Sequence, residues 1–264
     1  MDISEIEREK QAIIEKYGDW TAHSIQLAPN LYTIIGKEPS SGRPAHYVKV
    51  LQDFLRRPLH SLRVLDLGCL EGMYALEFAR HGAQVLGIEG RLANIEKARF
   101  ANRVLGFSNC DFVQDDVRNL SLLKYGSFDM ILCCGILYHL DAPDVFNFLK
   151  TIAEMCRGLT IIDTQVAVEG TPNNFADRLS SPTIYCDSGK EYSGRYYTEF
   201  TTQTTEQKLT SLWASLDNNR SFWLDRKSLY RALMAMRFDR IYQDLLPHLA
   251  AKGDDRLTYV ALKS

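Results

Sequence analysis

The chain has 264 residues, of which 45% are hydrophobic and 24% charged, proportions that support a sizeable core and give no compositional case for disorder. Thirty-one Lys and Arg against 33 Asp and Glu leave a formal charge of -2, without the basic excess common in dedicated nucleic-acid binders. No run approaches the ~20 apolar residues of a membrane span, and the start MDISEIEREK is acidic and polar, unlike a signal peptide; a cytoplasmic protein without membrane contact is expected. The six cysteines form neither a C-x-x-C pair nor a metal-spaced set with His, and read as reduced core thiols with no metal site.

Ile3, Ile6, Ile13, Ile14 and Tyr17 stand at roughly helical spacing in a charged background, which predicts an amphipathic helix ending at Gly18. A loop rich in Pro, Gly and Ser is expected from Ala28 to Pro44, so that 1–44 form a helical cap and loop and 45–264 the main domain. A helix is predicted over 45–57, and Leu62–Leu67 runs apolar into glycines as a buried parallel strand would. The pattern then alternates: helix 74–81, strand 84–88, helix 93–105, strands 111–114 and 128–134, helix 143–157 and strand 159–164. This order implies a parallel sheet covered on both faces. The rhythm breaks after Gln165 for roughly 55 residues rich in Tyr, Thr, Ser and Asn, too long for an ordinary connection, so 165–222 is expected to be an irregular substrate-binding insertion. A helix near 226–236 and strands near 240–244 and 256–263 complete the series.

The sharpest local signal is Val64-Leu65-Asp66-Leu67-Gly68-Cys69-Leu70-Glu71-Gly72-Met73, a strand ending in a glycine turn that opens a helix. Gly68 lets the backbone turn sharply, and Gly72 lets the helix pack closely on the strand. About 20 residues on, Glu89 ends the next strand, placed to accept hydrogen bonds from a ribose diol. The turn has no Lys, which excludes a phosphate-cradling P-loop; Leu70 takes the second glycine position of a dinucleotide fingerprint, and Glu71 would repel a pyrophosphate. A cofactor with an adenosine, no phosphate and a cationic centre suits such an acidic rim, and S-adenosylmethionine fits that description.

These residues resemble the class I S-adenosylmethionine-dependent methyltransferases, through VLDLGCLEG, VLGIEG with Glu89, FVQDDVRNL with Asp115 and Asp116, and FDMILCCGILYHL with Gly135, Tyr138 and His139, in that order. The resemblance implies a Rossmann-like α/β fold: a seven-stranded, mostly parallel sheet with an antiparallel last strand, an N-terminal helical cap and an insertion after the fifth strand. It also implies that Asp66 orients the turn and that the backbone around Gly68, Cys69, Glu71 and Gly72 meets the methionine end. Glu89 would take the ribose, Asp116 the adenine amino group beside Asp115 and the Val117 backbone, and the Cys134-Gly135 backbone the methionine ammonium. S-adenosylhomocysteine would be the product. LYHL followed by Asp-x-Pro looks most like the branch containing the tRNA wobble-uridine carboxymethyltransferase and its small-molecule relatives. Ala45-His46-Tyr47-Val48-Lys49 lacks that enzyme's clear Trp- and Lys-bearing pattern, so methyl transfer is expected ahead of carboxymethyl transfer.

His139 is the candidate general base, with Tyr138 orienting donor or acceptor, because an imidazole can take a proton from an attacking hydroxyl. Positioning alone could supply much of the rate of such an in-line displacement. Tyr138, Arg195, Tyr196, Tyr197, Trp213, Asn218 and Trp223 are the candidate acceptor residues, since aromatic walls with a few polar groups suit an organic substrate; packing into a satellite core is the alternative. Trp20-Thr21-Ala22-His23 could close over the pocket, although a lone His is more often a surface or packing residue. A small-molecule acceptor methylated on oxygen is expected ahead of nitrogen, with tRNA second, a noncatalytic cofactor-binding module third, and no indication of oligomeric state.

Overall fold

A computed structural model describes residues 1–36, 42–168, 176–200, 204–245 and 255–263. The chain divides into two compact units, 1–117 with 128–130, and 118–127 with 131–264. In the first lie α1 (Ile3–Tyr17), β1 (Gln26–Ala28), β2 (Leu31–Tyr32), α2 (Gly42–Leu55), β3 (Arg63–Leu67), α3 (Met73–Arg80), β4 (Gln84–Glu89), α4 (Leu92–Leu105) and β5 (Cys110–Gln114). In the second lie α5 (Leu122–Tyr125), most of β6 (Phe128–Cys134), α6 (Asp144–Met155), β7 (Cys156–Gln165), β8 (Thr183–Asp187), β9 (Lys190–Thr198), α7 (Thr205–Thr210), β10 (Arg220–Leu224), α8 (Arg226–Ala235), β11 (Arg240–Gln243) and β12 (Arg256–Leu262). No helix among the described residues is long and apolar enough to cross a membrane.

The seven-stranded sheet has the order β11-β12-β7-β6-β3-β4-β5. β3, β4 and β5 pair in parallel, whereas β12 runs antiparallel to both β7 and β11. This is the Rossmann-like α/β arrangement that the resemblance implied, and it contains the parallel strands expected from the alternating pattern. Val64, Leu65 and Leu67 of β3 are buried without alternation, as expected of a strand covered on both faces.

Local chemistry sets the boundaries. Asp2 caps α1 by accepting the Glu5 N–H at 2.8 Å, and Gly18, at φ +78°, ends it by donating to the Ile14 carbonyl. Gly72, also left-handed at φ +87°, opens α3 where an added Cβ would lie 2.8 Å from Phe112 and 2.9 Å from Ala98. Only glycine permits both that backbone and that approach of β5 and α4.

Two expectations need correction. The loop expected after Ala28 carries the β1–β2 hairpin, turned at Asn30 (φ +61°), while 37–41 lie outside the described residues. The N-terminal 44 residues lie in the first unit, where Glu9 of α1 pairs with Arg103 of α4 at 2.7 Å. The insertion is not irregular, because β10-β9-β8 form a three-stranded antiparallel sheet; 169–175 and 201–203 lie outside the described residues. Its β8–β9 hairpin turns on Ser188 and Gly189, both at positive φ, the two-residue geometry that suits the twist of antiparallel strands.

Candidate active site

In the first unit, the turn after β3 is held from several sides. Asp66, 2% exposed, accepts the Ala75 N–H of α3 at 3.1 Å. Gly68 (φ +62°) and Leu70 (φ +47°) are both left-handed, so Leu70 adopts a glycine's conformation with a side chain attached. That arrangement costs roughly 1–2 kcal/mol. Cys69 donates its backbone N–H to the Ile88 carbonyl, accepts the Gly72 N–H at 2.9 Å and buries its thiol against Gly87, which fixes the turn.

Glu89 ends β4 at 5% exposure. Its Oε2 accepts the Leu70 N–H at 3.2 Å and its Oε1 the Arg91 N–H at 2.9 Å. Burial raises its pKa above the ordinary carboxylate value, although these N–H groups and the Arg91 charge oppose the shift. Asp115 and Asp116 follow β5 half-buried, the Asp115 carboxylate accepting the Asp116 N–H at 2.9 Å, with Val117 buried beside them.

Glu71 is a correction. It lines no acidic rim: its carboxylate is completely buried, accepts the N–H groups of Thr21, Ala22 and His23, and pairs with Lys97. His23, read from sequence as a surface or packing residue, is buried and accepts the Met73 N–H through Nδ1 at 3.2 Å.

Burial pushes the Asp66 carboxyl up to about 7, with the nearby Glu89 charge adding to it and the Ala75 N–H opposing it. A raised folded-state pKa means that the protonated form stabilises the fold fully below the ordinary value of 3.8, and that this contribution is lost as pH rises through about 7. Asp66→Asn mimics the protonated form. Its stability relative to wild type should therefore rise across that window and level off above it, as urea unfolding midpoints of both proteins would show; parallel curves would contradict the shift.

In the second unit, β6 ends at Cys134 and Gly135, both half-buried. The Gly135 N–H is committed to the Asp163 carbonyl at 2.8 Å, so Gly135 offers a cation its carbonyl. Asp163, 1% exposed, accepts the Thr258 hydroxyl at 2.7 Å and two N–H groups of Arg256, which lies 5.5 Å from the Tyr138 ring. Burial raises the Tyr138 phenol above its ordinary pKa, against a lowering influence of Arg256. Sequence reading missed Asp163, Arg256 and Thr258, which bear no local motif and meet only across the β7–β12 pair.

The Tyr138 and His139 rings lie 4.4 Å apart. His139 Nδ1 is 3.1 Å from Glu199 Oε1, and both side chains are mostly buried. Glu199 Oε2 also accepts the Ser215 N–H at 3.0 Å. Burial raises the Glu199 pKa, but hydrogen bonds from His139 and Ser215 outweigh it, leaving the carboxyl below its ordinary value and ionised near neutral pH. A carboxylate on Nδ1 favours the tautomer with a proton there, which leaves Nε2 as the basic nitrogen.

The aromatic candidates separate by strand alternation. Tyr197 on β9 stacks on Trp223 of β10 at 4.5 Å, and Trp223 meets Tyr138 edge-on at 6.1 Å. Arg195, two residues away, shares that face of β9. Trp223 is only 2% exposed and donates its indole N–H to the Tyr138 carbonyl at 2.9 Å, so it braces the loop instead of presenting a ring to substrate. Tyr196 points to the other face and packs on Phe222 at 5.1 Å, in a cluster with Tyr185, Tyr192 and Phe146 of α6. Trp213 is 57% exposed. Asn218 donates its amide to the His139 and Arg220 carbonyls at 2.9 and 2.6 Å, which makes it a backbone brace. Tyr196 thus packs in the cluster, while Asn218 and Trp223 hold the backbone of the Tyr138–His139 loop.

The turn after β3, the acidic ends of β4 and β5 and the antiparallel β12 define the fold of class I S-adenosylmethionine-dependent methyltransferases. Residues 64–158 match the family described as "Methyltransferase domain". The chain is 34% identical over 107 residues to the ubiquinone biosynthesis O-methyltransferase of Hahella chejuensis, covering 39% of this chain and 44% of that protein. It is 36% identical over 101 residues to the enzyme of the same name from Methylocella silvestris, 38% of each chain. It thus spans less than half the length of these relatives. In structure it resembles the N-terminal domain of EvdMO1, crystallised in the presence of S-adenosylhomocysteine and D-fucose, with a TM-score of 0.71 and 24% identity over 100% of this chain and 98% of that one.

Proposed function

We propose that this chain transfers a methyl group from S-adenosylmethionine to a hydroxyl oxygen of a small organic acceptor. The observation that carries the reading is the His139–Glu199 pair beside Tyr138, a base already oriented by a carboxylate. The names of the sequence relatives, O-methyltransferases, and the sugar present with EvdMO1 support a hydroxyl-bearing acceptor. The formal charge of -2 favours a small molecule over RNA.

The residues present fit the cofactor. The Glu89 carboxylate accepts a backbone N–H at each oxygen, and lone pairs remain for a ribose diol. The half-buried Asp116, with the Val117 backbone, is assigned the adenine amino group; the backbone of Gly68 and Cys69 the methionine end; and the carbonyls of Cys134 and Gly135 its ammonium. When bound, S-adenosylmethionine supplies a methyl group made electrophilic by its sulfonium sulfur. His139 Nε2 takes the hydroxyl proton, Glu199 stabilises the imidazolium that forms, and Tyr138 orients the reactants. Arg195 and Tyr197 are assigned to the acceptor side.

Native mass spectrometry of the purified protein tests the donor. S-adenosylmethionine or S-adenosylhomocysteine should copurify or bind on addition. Preferential retention of carboxy-S-adenosylmethionine would overturn methyl in favour of carboxymethyl transfer. Lys49, exposed on α2 and 3.9 Å from Asp53, is better explained as a surface helix pair than as a carboxylate ligand.

A further inference from the structure

Glu71 sits inside the cofactor turn yet serves the N-terminal segment. Its carboxylate, 0% exposed, accepts three consecutive backbone N–H groups, from Thr21 at 2.8 Å, Ala22 at 3.0 Å and His23 at 2.8 Å. Lys97 Nζ, equally buried, lies 3.7 Å from Glu71 and donates to the Asp19 carbonyl at 2.6 Å. The segment returns the contact. His23 Nδ1 accepts the Met73 N–H, one of the donors that Gly72, having no side chain, leaves uncapped at the start of α3. Thr33 fixes the segment further, its hydroxyl donating to the His23 carbonyl at 2.7 Å and accepting the Ile25 N–H at 2.8 Å, while Trp20 packs 5.7 Å from Phe100. All of these residues belong to the first unit.

The two anchor points, Glu71 and Met73, directly follow the strained residue of the turn. Leu70 is left-handed, a conformation that a side chain disfavours, and in that conformation its N–H reaches Glu89 Oε2. A released turn would let Leu70 return to ordinary backbone angles and take its N–H away from Glu89. A strained backbone persists only where its surroundings over-determine it, and the segment 19–23 supplies that restraint.

We infer that Glu71 and His23 are positioning residues for the cofactor: they tie residues 19–23 to the Gly68–Gly72 turn and so hold Leu70 in the conformation that keeps Glu89 aligned for the ribose. The inference rests on the cofactor reading above. Neither residue is assigned a contact with the cofactor; both act through Leu70 and Glu89.

Calorimetric titration with S-adenosylhomocysteine tests this as a double-mutant cycle. Glu71→Gln keeps the side chain's shape but cannot accept all three N–H groups well, and should weaken binding about tenfold or more. Leu70→Gly removes the conformational penalty, so adding it to Glu71→Gln should cut that loss to about threefold or less. His23→Ala leaves the Glu71–Lys97 pair intact and should show the same dependence on Leu70, which keeps the test decisive if Glu71→Gln does not fold. Hydrogen exchange of residues 19–25 is the second readout: S-adenosylhomocysteine should protect them in wild type and fail to do so in the Glu71 and His23 variants. A merely structural role would lower the melting temperature without any coupling to Leu70. Losses of equal size with and without Leu70→Gly, or no loss in either variant, overturn the inference. Wild-type protein that fails to bind S-adenosylhomocysteine overturns the cofactor reading beneath it, a result distinguishable from both.

Discussion

His139→Ala is expected to lower turnover by ~10² to 10⁴-fold, with little change in the affinity for S-adenosylhomocysteine. The size follows from the proposed role: a hydroxyl is a poor nucleophile until its proton leaves, and His139, beside Tyr138 with Glu199 on Nδ1, is the proposed base. The pH–rate profile should lose the limb that the base contributes. Glu199→Gln should retain the packing yet lose the charge that stabilises the imidazolium, and should lower turnover by at least about tenfold. Because Glu199 also accepts the Ser215 N–H, its variant needs a melting curve beside the kinetics. Turnover of His139→Ala within a few-fold of wild type would leave positioning and water exclusion as the source of rate and assign the pair to structure.

Glu89→Ala should weaken S-adenosylhomocysteine binding by about 1.5 to 3 kcal/mol, roughly ten- to over a hundredfold, the cost of losing hydrogen bonds to a charged acceptor. Burial raises the pKa of this carboxylate, and only the ionised form accepts with both oxygens. Affinity should therefore fall as pH drops through that raised value. Glu89→Gln separates the functions, because it preserves volume while replacing one acceptor oxygen by a donor. Calorimetry showing wild-type affinity in Glu89→Ala would remove the ribose role.

Much of the fold was legible because burial leaves a mark in sequence. Largely apolar runs announced β3 and β6, and Gly18, Gly68 and Gly72 mark places where the chain takes up positive φ. The insertion was misread as irregular because its composition, rich in Tyr and Ser, obscured a hairpin signal that was present: Ser188-Gly189 between two runs that alternate. The same alternation could have divided the aromatic candidates. Tyr196 and Tyr197, adjacent in sequence, lie on opposite faces of β9, one in the cluster around Phe146 and Phe222 and the other on Trp223.

Glu199 and Glu71 were beyond the reach of motif reading. Glu199 meets His139 across 60 positions and Glu71 meets Thr21 across 50, and no local spacing encodes either contact. A buried carboxylate takes its meaning from what tertiary structure brings to it. At Glu71, three backbone donors and a lysine turned an apparent ligand rim into an anchor for the N-terminus.

The central claim is methyl transfer from S-adenosylmethionine to a hydroxyl oxygen. Its most direct measurement is incubation of the protein with S-adenosylmethionine carrying an isotopically labelled methyl group and a panel of phenols, catechols and free sugars with matched amines, followed by NMR of the labelled products. The account predicts label in an O-methyl group, formed by wild type and strongly reduced with His139→Ala. Label confined to N-methyl products, or O-methyl products formed equally well by His139→Ala, would contradict it.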